Sequence, residues 1–439
     1  MESITVVGGG LAGCEAAWQI AQKGVAVRLA EMKPARYSPA HKSPLLAELV
    51  CSNSLKAARI ESAAGLLKEE MRRLGSLLVG CAEQAKVPAG GALAVDREVF
   101  SRLVTGAIGG HPLITVERRE WTGLPEGVAV IATGPLTSAG LAGEIGRLCG
   151  GGLSFYDAAA PIVTRESINM ARCFTADRYG RGEGEGDYIN CPMNKEEYEA
   201  FTDALLGAER APVHGFDVAG PKVYEGCMPI EVLASRGREA IRFGPMKPVG
   251  LVDPRTGHRP WAVLQLRTEN RENTLYNLVG FQTNLKFGEQ KRVFGMIPGL
   301  ENAEFARYGV MHRNTFLQSP GLLQGDFSLK KRPTLFFAGQ MTGVEGYMES
   351  AASGIMAGRN AVRRLRGQET VVLPDTTMTG ALSRYISGYT GKDFQPMGAN
   401  FGILPPLGEQ IRDKRERYGR LAQRALEALE PWLARLETE

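Results

Sequence analysis

The stretch Ile4-Thr5-Val6-Val7 runs directly into Gly8-Gly9-Gly10-Leu11-Ala12-Gly13, followed by a helix-forming segment around Glu15–Ala21 and a second apolar run, Val25–Leu29. A strand, a glycine turn, a helix and a second strand in this order form a nucleotide-binding unit. Its glycines permit a tight turn and let a pyrophosphate approach backbone N–H groups at the helix N-terminus. Glu31 falls at the end of the second strand, where a carboxylate accepts hydrogen bonds from ribose hydroxyls. A lone GxGxxG says little. With the strand before it, the helix after it and the distal acid, it makes Gly8, Gly9, Gly10, Leu11, Ala12, Gly13 and Glu31 candidate cofactor residues.

Two later segments read as strands of the same unit. Val128–Thr133 ends in Gly134, and Thr334–Ala338 ends in Gly339, followed by Gly343, Gly346 and a helix predicted from about Met348. Continuous apolar runs suit parallel strands covered on both faces. A nucleotide fold whose last strand returns so late must hold an inserted domain. The expected architecture is therefore α/β: an FAD-binding, Rossmann-type doubly wound fold formed by 1–164 and 300–439, with an inserted α+β domain at 165–299. Gly339, Gly343 and Gly346 are expected against the flavin side of the cofactor. The stretch Arg178–Asp187 lacks an apolar period and is expected to be a mobile loop. A closing helix is expected from about Gly408 to Leu436. Its Arg412, Lys414, Arg415, Arg417, Arg420 and Arg424 form either a solvated face or a grip on phosphates.

Composition narrows the class. Of 439 residues, 44% are hydrophobic and 23% charged, and no stretch reaches the roughly 18 unbroken apolar residues of a membrane span, so no membrane protein is expected. The chain opens on a strand without a basic and apolar leader, so no secretory signal is expected and a cytoplasmic location is. A net charge of +4 neither demands nor excludes a polyanionic partner. Seven cysteines without zinc-ribbon spacing suit reduced thiols, and the histidines at 41, 111, 214, 258 and 312 stand singly, so no metal site is expected.

Two cysteines stand apart. Cys51 lies in Glu48–Leu55, one crossover beyond the second strand. Ser52-Asn53-Ser54 ahead of Leu55-Lys56-Ala57-Ala58 reads as a helix start, with Lys56 as a nearby cation to favour a thiolate; the alternative is a small buried filler. Cys227 sits between Gly226 and Pro229, in a tight turn flanked by Glu225 and Glu231, which either orient a substrate or an Arg or are surface charge. Cys191 is a weaker third candidate. Packing is the reading for Cys14, Cys81, Cys149 and Cys173. Tyr347, Phe287 and Tyr276 either stack on a planar ligand or fill the core.

The segments Glu48–Leu55, Tyr188–Met193, Tyr224–Glu231, Leu278–Leu285, Arg307–Thr315, Ala338–Gly346 and Phe394–Pro406 together resemble the folate- and FAD-dependent tRNA (uracil-5-)-methyltransferase family over essentially the whole chain, with one departure at Gly398, where the family pattern has Asn. Larger flavoproteins that modify the anticodon wobble uridine share the opening turn and the Arg307–Thr315 pattern, and typically add a long helical C-terminal region that is not expected here. The resemblance implies methylation of tRNA uridine 54, in the T loop, to 5-methyluridine. It implies carbon from methylenetetrahydrofolate, hydride from FAD hydroquinone and NAD(P)H as the expected reductant. C5 of uracil is a poor nucleophile until something adds at C6, and a thiolate suits that addition, while a second group removes the C5 proton. By carry-over, Cys227 is the nucleophile and Cys51 the base or flavin-site partner; sequence alone leaves their order open. A uridine stacked in the tRNA elbow must be flipped out for this chemistry. Two other classes compete: a flavin oxidoreductase acting on a small metabolite, and a noncatalytic tRNA-binding protein that keeps FAD as a structural group.

Overall fold

The first strand, β1 (Ser3–Val7), lies inside a six-stranded sheet because its apolar residues are buried on both faces. Strand order is Ser328–Leu329, Arg332–Phe337, Ala129–Ile131, β1, β2 (Ala26–Glu31) and Ile114–Arg118; all neighbours are parallel except the edge hairpin at 328–337. This is the doubly wound α/β sheet of an FAD-binding, Rossmann-type fold. The structure is a computed structural model and describes residues 3–150, 153–180, 186–211, 228–309, 311–391 and 394–437.

Two helices lock the glycine turn. Helix α1 (Leu11–Gln22) packs along the helix Tyr347–Leu365, and the fit depends on missing side chains. A Cβ on Gly354 would stand 2.2 Å from the Ala12 carbonyl oxygen, and one on Gly358 would stand 2.7 Å from that of Ala16. Overpacking such a contact costs about 1–3 kcal/mol. A buried carboxylate braces the far side. Glu70, on helix Ala63–Arg73, accepts the N–H groups of Met378 and Thr379 at the start of helix Met378–Gly388, and burial pushes it up to about 7.

A second six-stranded, antiparallel sheet runs Phe174–Thr175, Tyr188–Met193, Ala262–Thr268, Leu275–Leu278, Ile162–Thr164, Phe305–Arg307. It has its own core, in which Phe201, Phe281 and Phe294 pack together. The strands at 162–164 and 305–307, just outside the span expected for the insert, pair within this sheet. The chain passes between the two sheets on an antiparallel ladder of Leu153–Ala158 with Met311–Phe316.

Three sequence expectations change. Ser54–Ala57 is a strand paired with Ala92–Val95, not a helix start. The C-terminal helix begins at Lys414 rather than near Gly408. Within the expected loop, Arg178–Gly180 forms a short 3-10 turn, while 181–185 lie outside the described residues. Among the described residues no helix is long and apolar enough to cross a membrane, and no cluster of His, Cys, Asp or Glu is arranged to hold a metal ion.

Candidate functional site

A groove opens where β1 meets α1. Gly8, Gly9, Gly10, Leu11, Ala12 and Glu31 line it, with Thr133, Gly134, Gly339, Gln340, Tyr347 and Ser350 also in its wall. The turn leaves no room for a side chain at two positions and little at a third. Gly8 has φ +108°, and its Cβ would stand 2.5 Å from the Ala132 oxygen; a Cβ on Gly13 would stand 1.8 Å from the Gly8 oxygen, and one on Gly9 2.7 Å from Glu31 Oε2. At Gly10 the reverse holds: a Cβ would meet no protein atom within 4 Å. That space lies before the N-terminus of α1, which Gly10 begins without a side-chain cap, so the first-turn N–H groups have no side-chain acceptor there. An anionic pyrophosphate fits this cradle.

Glu31 is buried. Its Oε2 accepts the Gly9 N–H at 2.8 Å and its Oε1 the Lys33 N–H at 2.9 Å, so each oxygen keeps a further lone pair for a ribose hydroxyl. Gly13, Gly343 and Gly346 do not line the groove. Gly343 turns against Phe394, and Gly346 against Glu349 and Lys56. These residues fit an adenine dinucleotide, and the start of helix Tyr347–Leu365 forms part of the same wall.

Cys51 sits beside two residues of that wall, Val50 and Tyr347. The Tyr347 hydroxyl accepts the N–H groups of Cys51 at 2.8 Å and Ser52 at 3.2 Å, and lies 3.0 Å from Cys51 Sγ. Burial, with Cys51 alongside, pushes the Tyr347 phenol well above its usual range, so it stays protonated. Two N–H donors occupy its oxygen lone pairs. Its own hydrogen therefore points at the sulfur, an arrangement that favours the thiolate.

Arg97 and Arg307 stand near Cys51. Lys56 has φ +64° and pairs at 2.6 Å with Glu349. Arg97 holds the Leu49 carbonyl at 2.9 Å and grips Glu269 with two nitrogens, while Arg307 donates to the Val50 carbonyl. Arg267 bonds Ser52 Oγ and Asn53 Oδ1, each at 3.0 Å. The loop bearing Cys51 is thus clamped by Arg97 at the start of helix Arg97–Gly110 and by Arg267 and Arg307 from the second sheet.

Cys227 falls within 212–227, outside the described residues, together with Glu225. The described chain resumes at Met228, and the Ile230 N–H donates to Gln282. Glu231 is not surface charge: it is buried, accepts from Thr283 Oγ1 at 2.9 Å and the Asn284 N–H at 2.7 Å, and burial raises its pKa. Cys191 is fully buried, 3.5 Å from Cys173, and its thiol is pushed up by the Cys173 hydrogen bond and by burial. Cys14, Cys81 and Cys149 are buried as well. Tyr276 belongs to the second core, whereas Phe287 is 54% exposed. On the C-terminal helix, Arg424 binds the Pro405 and Pro406 carbonyls and Arg420 pairs with Glu409, while Lys414 and Arg415 stand exposed, as does Arg412 just before it.

Arg97, Arg267 and Arg307 were not among the sequence candidates. Each reaches Cys51's loop from a distant part of the chain, and only the family-like run at Arg307–Thr315 pointed near any of them.

The fold and this groove define a flavoprotein of the FAD-binding class. The family model described as "Glucose inhibited division protein A" matches residues 3–369. A solved structure of Aquifex aeolicus GidA aligns over 98% of this chain and 73% of its own with a TM-score of 0.70 at 17% identity, a likeness of fold. Much higher identity is found among proteins named methylenetetrahydrofolate–tRNA-(uracil-5-)-methyltransferase TrmFO. That of Desulfitobacterium hafniense is 59% identical over 436 residues, covering 99% of both chains, and that of Geobacter sulfurreducens is 59% identical over 435 residues, covering 98% of this chain and 99% of its own. The chain belongs to this folate-dependent tRNA (uracil-5-)-methyltransferase family.

Two outcomes follow from the geometry. Gly10→Leu fills the space before α1, so the purified variant should fold, by circular dichroism, yet lack the flavin absorbance expected of the wild type; a fully yellow variant contradicts the cradle. Tyr347→Phe removes the hydrogen aimed at Cys51, so alkylation of Cys51 by iodoacetamide at pH 7, followed by peptide mass spectrometry, should slow several-fold. An unchanged rate would mean that Tyr347 does not act on the sulfur.

Proposed function

We propose that this protein converts uridine 54 in the T loop of tRNA to 5-methyluridine in the cytoplasm, with carbon from methylenetetrahydrofolate and with NAD(P)H recharging the flavin. The observation that carries the reading is the Cys51 sulfur held 3.0 Å from a protonated Tyr347 hydroxyl in the wall of a dinucleotide groove, in a chain 59% identical to enzymes named for this reaction. In this reading 1–164 and 300–439 form the cofactor domain and 165–299 the inserted domain, whose sheet also takes in the flanking strands at 162–164 and 305–307.

Gly8, Gly9, Gly10, Leu11 and Ala12 would hold the FAD pyrophosphate, with Gly13 packed against Gly8 to set the turn; Glu31 would take the ribose, and Gly339, at the head of the Gly339–Gly346 turn, would face the flavin. Bound there in its reduced form, FAD would supply the hydride. The protein's own part is to make C5 of uracil nucleophilic and then to remove its proton. Cys227 adds as a thiolate to C6, which places an enolate across C4 and C5, so C5 attacks the one-carbon unit. Cys51 then takes the proton from C5 as the one-carbon unit's remaining bond to the folate nitrogen breaks, which releases tetrahydrofolate and leaves a methylene on C5; a hydride delivered to that methylene would complete the methyl group as Cys227 leaves C6 and the ring regains its double bond. Tyr347, donating to Cys51, holds that sulfur in its basic form, and Arg97 and Arg307 supply positive potential beside it.

The two cysteines fail differently. Fluorine at C5 cannot leave as a proton, so RNA with 5-fluorouridine at position 54 should trap the thiolate bonded to C6. Cys227→Ala should abolish both methylation and the adduct. Cys51→Ala should abolish methylation and keep the adduct, read as a gel shift resistant to denaturant. The opposite pattern exchanges the roles, and adducts surviving in the double variant sink the assignment.

A further inference from the structure

Next to the cofactor groove lies a second hollow, lined by Pro39, Ala40 and Lys42 from one side and by Phe287, Phe305 and Arg307 among the residues of the other. The loop between them serves both sites: His41 lines the groove and Lys42 the hollow. Arg307 lines the hollow and reaches the carbonyl of Val50, the residue before Cys51. The hollow therefore stands one side chain away from the reactive sulfur.

Its floor is a column of parallel rings. Phe305 and Tyr308 stack at 5.0 Å with 6° between their planes, and Tyr308 and Phe287 at 4.6 Å with 17°. Phe305 is packed against the second core, Tyr308 is half-buried, and Phe287 is 54% exposed, so the column runs from the protein interior to solvent. No other ring covers Phe287 among the described residues. Phe287 opens helix Phe287–Phe294, whose preceding residue, Lys286, gives no side-chain cap, and a Cβ on Gly288 would meet nothing within 4 Å. The nearby carboxylate of Glu289 is occupied by Arg292 and by the Glu209 N–H. Lys42 is exposed and makes no ion pair among the described residues.

We propose that the Phe287–Tyr308–Phe305 column is a platform on which one unpaired base of the tRNA T loop, a neighbour of the target uridine, stacks, with Lys42 against its phosphate. The proposal rests on the tRNA reading above and names where the strand runs once the target has been turned towards Cys51. Every base presents a π face, and an aromatic column that ends in solvent beside an unpaired cation suits a polyanionic strand. The pterin of the folate is also planar, but the groove wall at Tyr347, beside Cys51, is where a one-carbon donor must deliver, and Arg307 stands between that wall and the column.

The test titrates full-length, FAD-loaded protein with an unmodified T-arm RNA hairpin carrying 2-aminopurine at one loop position at a time. The wild type should change the fluorescence at one position adjacent to 54. Phe287→Ala should lose that change and weaken binding about 5- to 150-fold, the range of a lost base–aromatic stack. Phe287→Trp should keep both, and Lys42→Ala should lower the slope of log affinity against log salt by about 0.7. Phe287→Ala with unchanged RNA affinity overturns the proposal. So does a Phe287→Ala variant that loses labelled methylenetetrahydrofolate and keeps the RNA, since the column would then seat the pterin. A wild type that does not bind the hairpin overturns the tRNA reading itself and this proposal with it, whereas failure of the platform alone leaves wild-type binding and methylation intact.

Discussion

At Gly354 the helix Tyr347–Leu365 passes so near the Ala12 carbonyl that a Cβ would stand 2.2 Å from it, and the site is built outward from this contact. One partner, α1, presents the N-terminus that faces the pyrophosphate cradle. The other begins with Tyr347, whose hydroxyl fixes the backbone and sulfur of Cys51. Cofactor cradle and reactive thiol are therefore referred to the same pair of helices, and a shift between them would move both. Interiors packed at crystal-like density transmit such shifts rather than absorb them.

Electrostatics concentrates at the Cys51 loop. Arg97 is neutralised by Glu269, while Arg307, largely withdrawn from water and close to Arg97, has no carboxylate within ion-pair distance among the described residues. A guanidinium held in this way is stabilised by a negative charge nearby, and a Cys51 thiolate supplies one. The side chains that make the loop positive also tie the first sheet's domain to the second: Arg267 and Glu269 come from the end of strand Ala262–Thr268 and the residue after it, and they meet Asn53, Ser52 and Arg97.

The glycine turn was legible in the sequence because its demands are local. Positive φ at Gly8 and the close pass of Gly13 over Gly8 admit few residue types, and those types stand in fixed order. The late return of the nucleotide fold was legible from apolar runs bounded by glycines. Ser52–Ala58 was misread because the Ser-Asn-Ser cap signal is also a turn signal, and pairing with Ala92–Val95 prevails over it. Lys56 looked like a partner for Cys51 by proximity in sequence; its backbone is left-handed and it pairs with Glu349. The arginines around the Cys51 loop come from positions 97, 267 and 307, and nothing in local spacing brings such residues together. Gly343 and Gly346 read as flavin-side residues because glycines follow a strand; in the fold Gly343 turns against Phe394 and Gly346 against Glu349 and Lys56.

The central claim is a reaction, so the most direct measurement is of its product. Full-length protein supplied with FAD, unmodified tRNA, methylenetetrahydrofolate labelled in its one-carbon unit, and NADPH should yield tRNA whose digested nucleosides contain labelled 5-methyluridine, mapping to position 54 and absent when the folate is withheld. Labelled carbon that never enters the RNA while the flavin turns over on a small molecule, or a methyl group that appears only with S-adenosylmethionine, would contradict the account.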